Sequence, residues 1–426
     1  MAAGINRGEV TAWAVYDLAN TIFSMSIITF FLPQWVIHDQ GLPDLAFQIP
    51  FSLSMLLVGL TTPYLGAVAD ERGDHLRPLR WLTILSVSAT ALMGVAVNLG
   101  LALWARVGLV LFLLIPANYG FQAAQVFYNS LLPSLAPPEL QGKISGFGVA
   151  LGYLGSIVAF LSIFPLTQSE IIPGFTGRTA AFIPTAVLFG LLAIPCLIWV
   201  KDRSKPKPRP REGVWRRYVQ VFRDTADYPG LRRYLFSAFL FLEAVHTVIS
   251  MMMVYIQMVL GLPDEEKMPI LVAGILAAIA GGFAWGWLTD KLGPRRVIVF
   301  TLVGWIAAIV LGTLAADLTL FYVVAALTGF LMAGVWTAIR PMLLRLVPAE
   351  KAGEFFGLLA LAGKAAAVAG PLIWGGITLL ARGIAPLNYR LALAAMGLLV
   401  AAGLAVFLGV GKARKKGAAF RPSLEG

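Results

Sequence analysis

The sequence is poor in cysteine and histidine, and each shortage excludes a class of protein. Cys196 is the only cysteine among 426 residues and lies in an apolar run, which excludes a disulfide framework and a thiolate metal site. The three histidines, His38, His75 and His246, are far apart, and no nucleophile–base set, phosphate loop or dinucleotide fingerprint occurs. We therefore expect no enzyme, no cofactor, no metal and no ATP-driven pump.

Charge is also scarce, because only 13% of the residues are charged while 58% are hydrophobic, giving a mean hydropathy of +0.80. A soluble core cannot hide that much apolar surface, whereas about 18 or more apolar residues span a bilayer roughly 30 Å thick. The first run, after Arg7, is too long for a signal peptide and is expected to remain. Twelve spans are predicted, at about 11–37, 46–69, 79–98, 104–132, 144–168, 178–200, 233–260, 269–289, 296–315, 319–347, 355–380 and 390–411.

The net charge of +11 is distributed between the apolar runs and not over one folded face, which favours anionic lipid over nucleic acid as the partner. If both termini are cytoplasmic, five of the 33 Lys and Arg lie at outer ends and three lie within helices 10 and 11, so 33 − 5 − 3 = 25 are cytoplasmic. Because basic loops stay inside, this bias predicts the orientation. We expect a monomer that is integral to the bacterial inner (plasma) membrane, with both termini in the cytoplasm.

Two loop motifs repeat along the chain. Gly66-Ala-Val-Ala-Asp70-Glu-Arg72-Gly73 has the same Gly, Asp and Gly spacing as Gly286-Trp-Leu-Thr-Asp290-Lys-Leu-Gly293, at an offset of 286 − 66 = 220 residues. Gly142 and Gly353 head a second repeated pair, before helices 5 and 11. The fold class predicted is all-α, with two pseudo-symmetric six-helix bundles at 1–200 and 233–411, a basic linker at 201–232 and a basic tail at 412–426.

The loop motifs resemble the cytoplasmic loops 2–3 and 8–9 of the major facilitator superfamily, where such residues form a gate. We expect each aspartate to contact helix ends or arginines of its own bundle and to lock the outward-open state. The predicted gate consists of Gly66, Asp70, Arg72, Gly73, Gly286, Asp290, Gly293 and Arg296.

Polar residues at steps of three and four mark one face of helices 1, 4, 7 and 10, the first and fourth of each six. Polar side chains in a spanning helix are costly unless they face the bundle interior, so these four helices are expected to line a cavity. The predicted cavity residues are Asn20, Ser24, Tyr119, Gln122, Gln125, Asn129, His246, Ser250, Trp336, Arg340 and Lys364.

Glu243 and His246, one turn apart in helix 7, form a candidate proton-coupling pair, with Asp17 of helix 1 as a further candidate. Two alternatives stay open for Glu243: a fixed ion pair with Lys364 or Arg340, or a contact to the solute. Asp17 alternatively stabilises the start of helix 1. Lys364 and Arg340 are also candidate anchors for a solute carboxylate.

The linker begins with a basic run that alternates with proline, from Lys205 to Arg211, which cannot form a helix. Within the linker, Trp215, Tyr218 and Phe222 recur at helical spacing, which predicts a short amphipathic helix on the inner leaflet. The alternative is a solvated linker with incidental aromatic residues.

Three further stretches resemble one branch of the superfamily, the "unknown major facilitator" family that includes autophagy-related vacuolar effluxers. They are Trp13-Ala-Val-Tyr16-Asp17-Leu-Ala-Asn20 in helix 1, Ser145 to Ser156 in helix 5, and Glu354-Phe-Phe-Gly357 through Lys364 to Pro371 in helix 11. The resemblance implies export of neutral amino acids. Helix 7 departs from the family, with Glu243 in place of Asp and His246 in place of Gln.

The sequence thus predicts a secondary transporter of a small organic solute that works by alternating access, with proton-coupled efflux of neutral amino acids as the expected form. Two alternatives are an exporter of lipid-like or drug-like amphiphiles and a receptor or scaffold that does not transport.

Overall fold

The computed structural model describes residues 6–42, 44–168, 177–206, 214–261, 264–315, 317–384 and 386–410. Within these residues it is all-helical and contains twelve long helices, numbered 1 to 12 in chain order. They are Arg7–Phe23, Asp44–Arg72, Leu76–Ala96, Leu103–Ser130, Gln141–Gln168, Phe182–Trp199, Leu231–Leu260, Asp264–Leu292, Pro294–Leu314, Leu318–Leu344, Ala352–Leu380 and Leu387–Leu408. A shorter linker helix, Val214–Asp224, precedes helix 7.

Among the described residues, eleven of these helices are long and apolar enough to cross a membrane. Helix 11 corresponds to the remaining predicted span, at 355–380, but the side chains of several of its residues lie outside the described part of the structure. The predicted membrane protein is therefore confirmed, and the predicted count of twelve spans is consistent with the helices observed.

Helix 1 begins and ends with distinct local structures. The side chain of Asn6 caps its start by accepting hydrogen bonds from the backbone N–H groups of Gly8 and Glu9. Beyond Phe23 the chain continues as a π-helix over Ser24–Phe31, a form that is rare and usually confined to one turn. The segment that continues helix 1 beyond Phe23 is therefore wound more widely than an α-helix.

Neighbouring helices pack in a repeated pattern. Helix 1 packs against helices 5 and 6, helix 4 against helices 2 and 3, and helix 3 also against helix 6. In the second half, helix 7 packs against helices 11 and 12, helix 10 against helices 8 and 9, and helix 9 also against helix 12. Helix 2 against helix 11 and helix 5 against helix 8 are the most extensive contacts between the two halves.

In both of these contacts between the halves, the two helices cross at glycine residues. At Gly66 an added Cβ would overlap the backbone of Gly353, and at Gly146 it would overlap the backbone of helix 8 beside Gly286. Helices in lipid gain no hydrophobic free energy by associating, so small residues that bring backbones into contact are a principal means of packing them. The repeated glycines therefore locate the two places where the halves touch most closely.

Candidate transport cavity and gate

Asp70, at the end of helix 2, bridges the two halves at the first glycine crossing. Its two carboxylate oxygens accept hydrogen bonds from the backbone N–H groups of Gly353 and Glu354, at 2.9 and 2.7 Å. These residues begin helix 11, where unpaired N–H groups and the helix dipole favour a negative charge. We call this contact the first latch.

Asp290, near the end of helix 8, makes the equivalent contact at the second crossing. Its oxygens accept hydrogen bonds from the backbone N–H groups of Gly142 and Lys143, at 2.8 and 3.0 Å, at the start of helix 5. We call this contact the second latch. The two latches lie on the face of the bundle that carries the turns at Gly73 and Gly293, called the latch face below; both glycines have positive φ, of 61° and 85°.

The partners of the two aspartates extend one expectation from the sequence. Asp70 and Asp290 were expected to contact helix ends or arginines of their own six-helix unit, and Asp70 does contact His75 at the start of helix 3. Each aspartate also contacts a helix start in the other unit, which was not expected. The physical reason is that Gly66 and Gly286 bring the opposite helix close, so its free N–H groups are nearest. Arg72 and Arg296 are exposed, and Arg345 is the arginine beside Gly293.

His75 ties the first latch to the linker between the halves. Its Nε2 lies 2.8 Å from Asp70, and its Nδ1 lies 2.9 Å from Asp202, the second linker residue. Burial alone would lower the pKa of His75, but hydrogen bonds to Asp202 and Asp70 outweigh it and raise the pKa to about 9. His75 therefore stays protonated at neutral pH and holds two carboxylates together.

The linker is fixed at both ends on this face. At its start, Arg203 donates two hydrogen bonds to Glu9 of helix 1, at 2.8 and 2.9 Å. At the end of the linker helix, Asp224 forms an ion pair with Lys351, which precedes helix 11 and lies over the rings of Tyr228 and Phe355. The linker helix predicted from the aromatic spacing is present; its contact with lipid stays a prediction.

A buried ion pair joins the halves deeper in the bundle. Arg340 of helix 10 donates from Nη2 to Oδ2 of Asp17 in helix 1, at 3.3 Å. Its guanidinium lies over the rings of Trp13 and Tyr128, 5.6 and 5.5 Å from their centroids, and these two rings stack 4.5 Å apart. Asp17 is therefore a partner of helix 10 and not a residue that stabilises the start of helix 1.

His246 of helix 7 makes an edge-to-face contact with Trp336 of helix 10, with ring centroids 5.3 Å apart. Trp336 lies one turn from Arg340, so the contacts run from helix 7 through helix 10 to helices 1 and 4. Both rings are half-buried. The four helices with polar stripes thus meet through His246 of helix 7, Trp336 and Arg340 of helix 10, Asp17 of helix 1 and Tyr128 of helix 4.

Glu243 lies apart from this set, on the side of helix 7 that faces helix 11. It is 2% exposed, and neither of its oxygens has a hydrogen-bond partner among the described residues. A Cβ added to Gly370 would overlap the Glu243 carboxylate, so the glycine provides the space that Glu243 occupies. Arg340 pairs with Asp17 and not with Glu243, and the side chain of Lys364 lies outside the described residues.

The other predicted cavity residues occupy varied surroundings. Asn20 is buried, and neither atom of its amide group has a partner among the described residues. Tyr119 is hydrogen-bonded at 2.9 Å to Thr61 of helix 2, and Ser250 is exposed. Half-buried positions are taken by Ser24, Gln122, Gln125 and Asn129.

Several residues of the gate and the central pair were not predicted from the sequence. His75 and Asp202 follow no repeat, since Arg295 occupies the position of His75 in the second copy. Trp13 and Tyr128 are aromatic residues on helices already marked by polar stripes, and only contact with Arg340 distinguishes them. A buried charge next to aromatic residues on a facing helix is the available signal for such a site.

Comparison with known proteins assigns the family. Residues 46–419 match the model of the family described as "Vacuole effluxer Atg22 like". The chain belongs to the Atg22-like family. Among relatives, this Atg22-like chain is 26% identical over 381 residues to the uncharacterized MFS-type transporter YxiO of Bacillus subtilis, covering 86% of this chain and 87% of YxiO.

Two further matches agree with membership of the major facilitator superfamily. The multidrug resistance protein MdtG of Dickeya zeae is 26% identical over 307 residues, covering 70% of this Atg22-like chain and 69% of MdtG. The solved structure of the major facilitator superfamily transporter FucP in its outward conformation has a TM-score of 0.71 at 14% identity, covering 97% and 98% of the two chains. This Atg22-like protein is therefore a transporter of the major facilitator fold and not an enzyme.

Proposed function

We propose that this transporter exports a small organic solute from the cytoplasm in exchange for protons, with neutral amino acids as the expected class. The family description as a vacuole effluxer supports the direction. The single observation that carries proton coupling is Glu243, a carboxylate at membrane depth with no described hydrogen-bond partner. The protein acts as a monomer in a plasma membrane, with its linker helix on the anionic inner leaflet.

Alternating access by bundles at 1–200 and 233–411 is supported by the two latches. Each links the two halves through a carboxylate at one helix end and N–H groups at another, so the pair is related by the internal two-fold repeat. The basic residues of the connecting loops favour the cytoplasm for the latch face. With that orientation, the structure corresponds to a state closed toward the cytoplasm.

Proton coupling follows from the cost of charge at Glu243. An ionised carboxylate buried without hydrogen bonds is highly unfavourable, and the described residues supply Glu243 with none, which favours its neutral form while it stays sealed between helices 7 and 11. It can lose its proton only in a state that admits water or a cation. A carboxylate that is protonated in one state and ionised in the other carries one proton per cycle.

Reconstituted vesicles test this mechanism. In the Glu243→Gln variant, accumulation of labelled solute driven by a pH gradient should be lost, while exchange at equal pH continues, since exchange moves no net protons. Glu139→Gln removes an exposed carboxylate and serves as the matched control. Full accumulation by Glu243→Gln would contradict proton carriage by this residue.

Export of drug-like amphiphiles is the second candidate, favoured by the similarity to MdtG, a protein named for multidrug resistance. The aromatic contact between His246 and Trp336 would form part of an apolar wall for such solutes. Counterflow assays separate the candidates: saturable exchange of labelled amino acids supports the first, and transport of amphiphiles alone supports the second. Failure of every solute to exchange would favour a receptor.

A further inference from the structure

The guanidinium of Arg340 is positioned by groups that leave its donors largely unused. Trp13 and Tyr128 contact its face, which fixes the plane through cation–π attraction without consuming any N–H group. Its Nη1 atom is buried and has no hydrogen-bond partner among the described residues. An unsatisfied buried donor on a charged group is costly, so the site is incomplete as it stands.

Asp17 satisfies this arginine poorly. One oxygen accepts one hydrogen bond at 3.3 Å, whereas charge-assisted pairs typically lie at roughly 2.7–2.9 Å and arginine usually binds carboxylates through two parallel bonds. A single long hydrogen bond leaves most N–H donors of the guanidinium unused. Asp17 therefore has the geometry of a substitute for another ligand of Arg340. The fork would be better filled by a carboxylate free to align with it.

The pair also spans the two halves of the transporter. Asp17 is on helix 1 and Arg340 on helix 10, so opening of the latch face must separate them. Separation of a buried ion pair leaves each charge uncompensated, which is strongly unfavourable. The empty transporter is therefore held closed until another group neutralises each charge.

We propose that Arg340 binds the carboxylate of the transported solute, which displaces Asp17. This inference rests on the proposed transport function and assigns its substrate a carboxylate. Asp17 is then neutralised either by a proton or by a cationic group of the same solute. Asn20, one turn along the same face of helix 1, has both polar atoms of its buried amide group without a described partner and supplies a further hydrogen-bonding group to that solute.

Three probes with the same phenylethyl group isolate the carboxylate. Phenylalanine carries both charges, 3-phenylpropionate carries only the carboxylate and phenethylamine only the ammonium. In purified Asp17→Asn, which lacks the competing side chain, both carboxylates should raise the melting temperature, with affinity roughly ten-fold or more above that of the wild type. Phenethylamine should have no effect.

The wild type distinguishes the two ways of neutralising Asp17. Binding of 3-phenylpropionate should take up a proton, detected by calorimetry in buffers of different ionisation enthalpy, whereas phenylalanine should bind without uptake if its ammonium pairs with Asp17. Uptake with both probes assigns the neutralisation to a proton. Either result supports binding of the carboxylate at Arg340.

Loss of the response in Arg340 variants completes the test. Arg340→Gln should show no carboxylate response, and the Asp17→Asn/Arg340→Gln double variant restores a neutral pair in case the single variant fails to fold. An equal response of Asp17→Asn to all three probes, or no response in the folded protein, would overturn the inference. Failure of proton coupling at Glu243 would leave these binding results unchanged, so the two proposals fail separately.

Discussion

Neutralising either latch aspartate should open the latch face. Asp70→Asn retains the shape of the side chain but loses the charge and one of the two acceptors that meet the start of helix 11. A hydrogen bond to a charged group contributes about 1.5–3 kcal/mol, and about 1.4 kcal/mol changes an equilibrium ten-fold. The open population should therefore rise about 10- to 100-fold in Asp70→Asn, and by a similar factor in Asp290→Asn.

A cysteine between the halves reports this population. Thr62 of helix 2 is fully buried against Gly357 of helix 11, so Thr62→Cys should be alkylated only when the halves separate. Cys196 is buried in helix 6 and is replaced by alanine in the background. A membrane-impermeant maleimide applied to the latch face should label Thr62→Cys faster in each aspartate variant, in proportion to the open fraction.

The second latch provides the stricter test, because Asp290 is bonded to helix 5 and not to helix 2 or helix 11. If the halves move as rigid bodies, Asp290→Asn must expose Thr62→Cys as well, and the free energies of the two variants should add. Asp74→Asn, in the same turn as the first latch, is the control, because among the described residues its side chain accepts a hydrogen bond from the backbone N–H of Arg77 and takes no part in the latch. Unchanged labelling in both latch variants would refute the role assigned to the latches.

Three further predictions concern the same face. Because the pKa of His75 is raised to about 9, its contribution to the stability of the folded protein is complete below its ordinary pKa of about 6.5 and is lost as pH rises through 9. The melting temperature should therefore fall more between pH 6.5 and 10 in the wild type than in His75→Gln. Gly66→Ala forces a Cβ into the backbone of helix 11 and should speed the labelling described above, whereas Gly375→Ala, which meets open space, should not. Lys351→Gln removes the ion pair at the end of the linker helix and should speed tryptic cleavage at exposed Arg223, measured by gel analysis. Equal cleavage of Lys351→Gln and the wild type would contradict that anchoring.

The helices, the repeats and the four polar stripes could be predicted because each depends on local spacing. Apolar runs and turn glycines such as Gly73 and Gly293 determine the spans within a few residues. The contact between Asp70 and Gly353 could not be predicted, because the arginines of the same loop, such as Arg72, are much closer to Asp70 in the chain. Gly353 is 353 − 70 = 283 residues away. Which group pairs with a buried charge depends on how the helices of the two halves cross.

The same limit applies to the central charges. Helical spacing placed Asp17, Glu243 and Arg340 on interior faces, but it left open which acid pairs with the arginine. The rotation of helix 7 decides the matter, since it turns Glu243 toward Gly370 and His246 toward Trp336. A difference of about 60° on one helix face, which is the angle between residues three apart, separates these two roles.

The glycine crossings have a consequence for leakage across the membrane. Where Gly66 meets Gly353 and Gly146 meets Gly286, backbone touches backbone, so no rotamers exist that could adjust to a partial separation. A gap of about 0.5–1 Å already forfeits roughly a quarter to a half of the dispersion energy of such a contact, which disfavours an intermediate width of the seal. A seal of this kind favours the shut and the fully parted states, and a transporter thereby avoids a half-open state through which ions would leak.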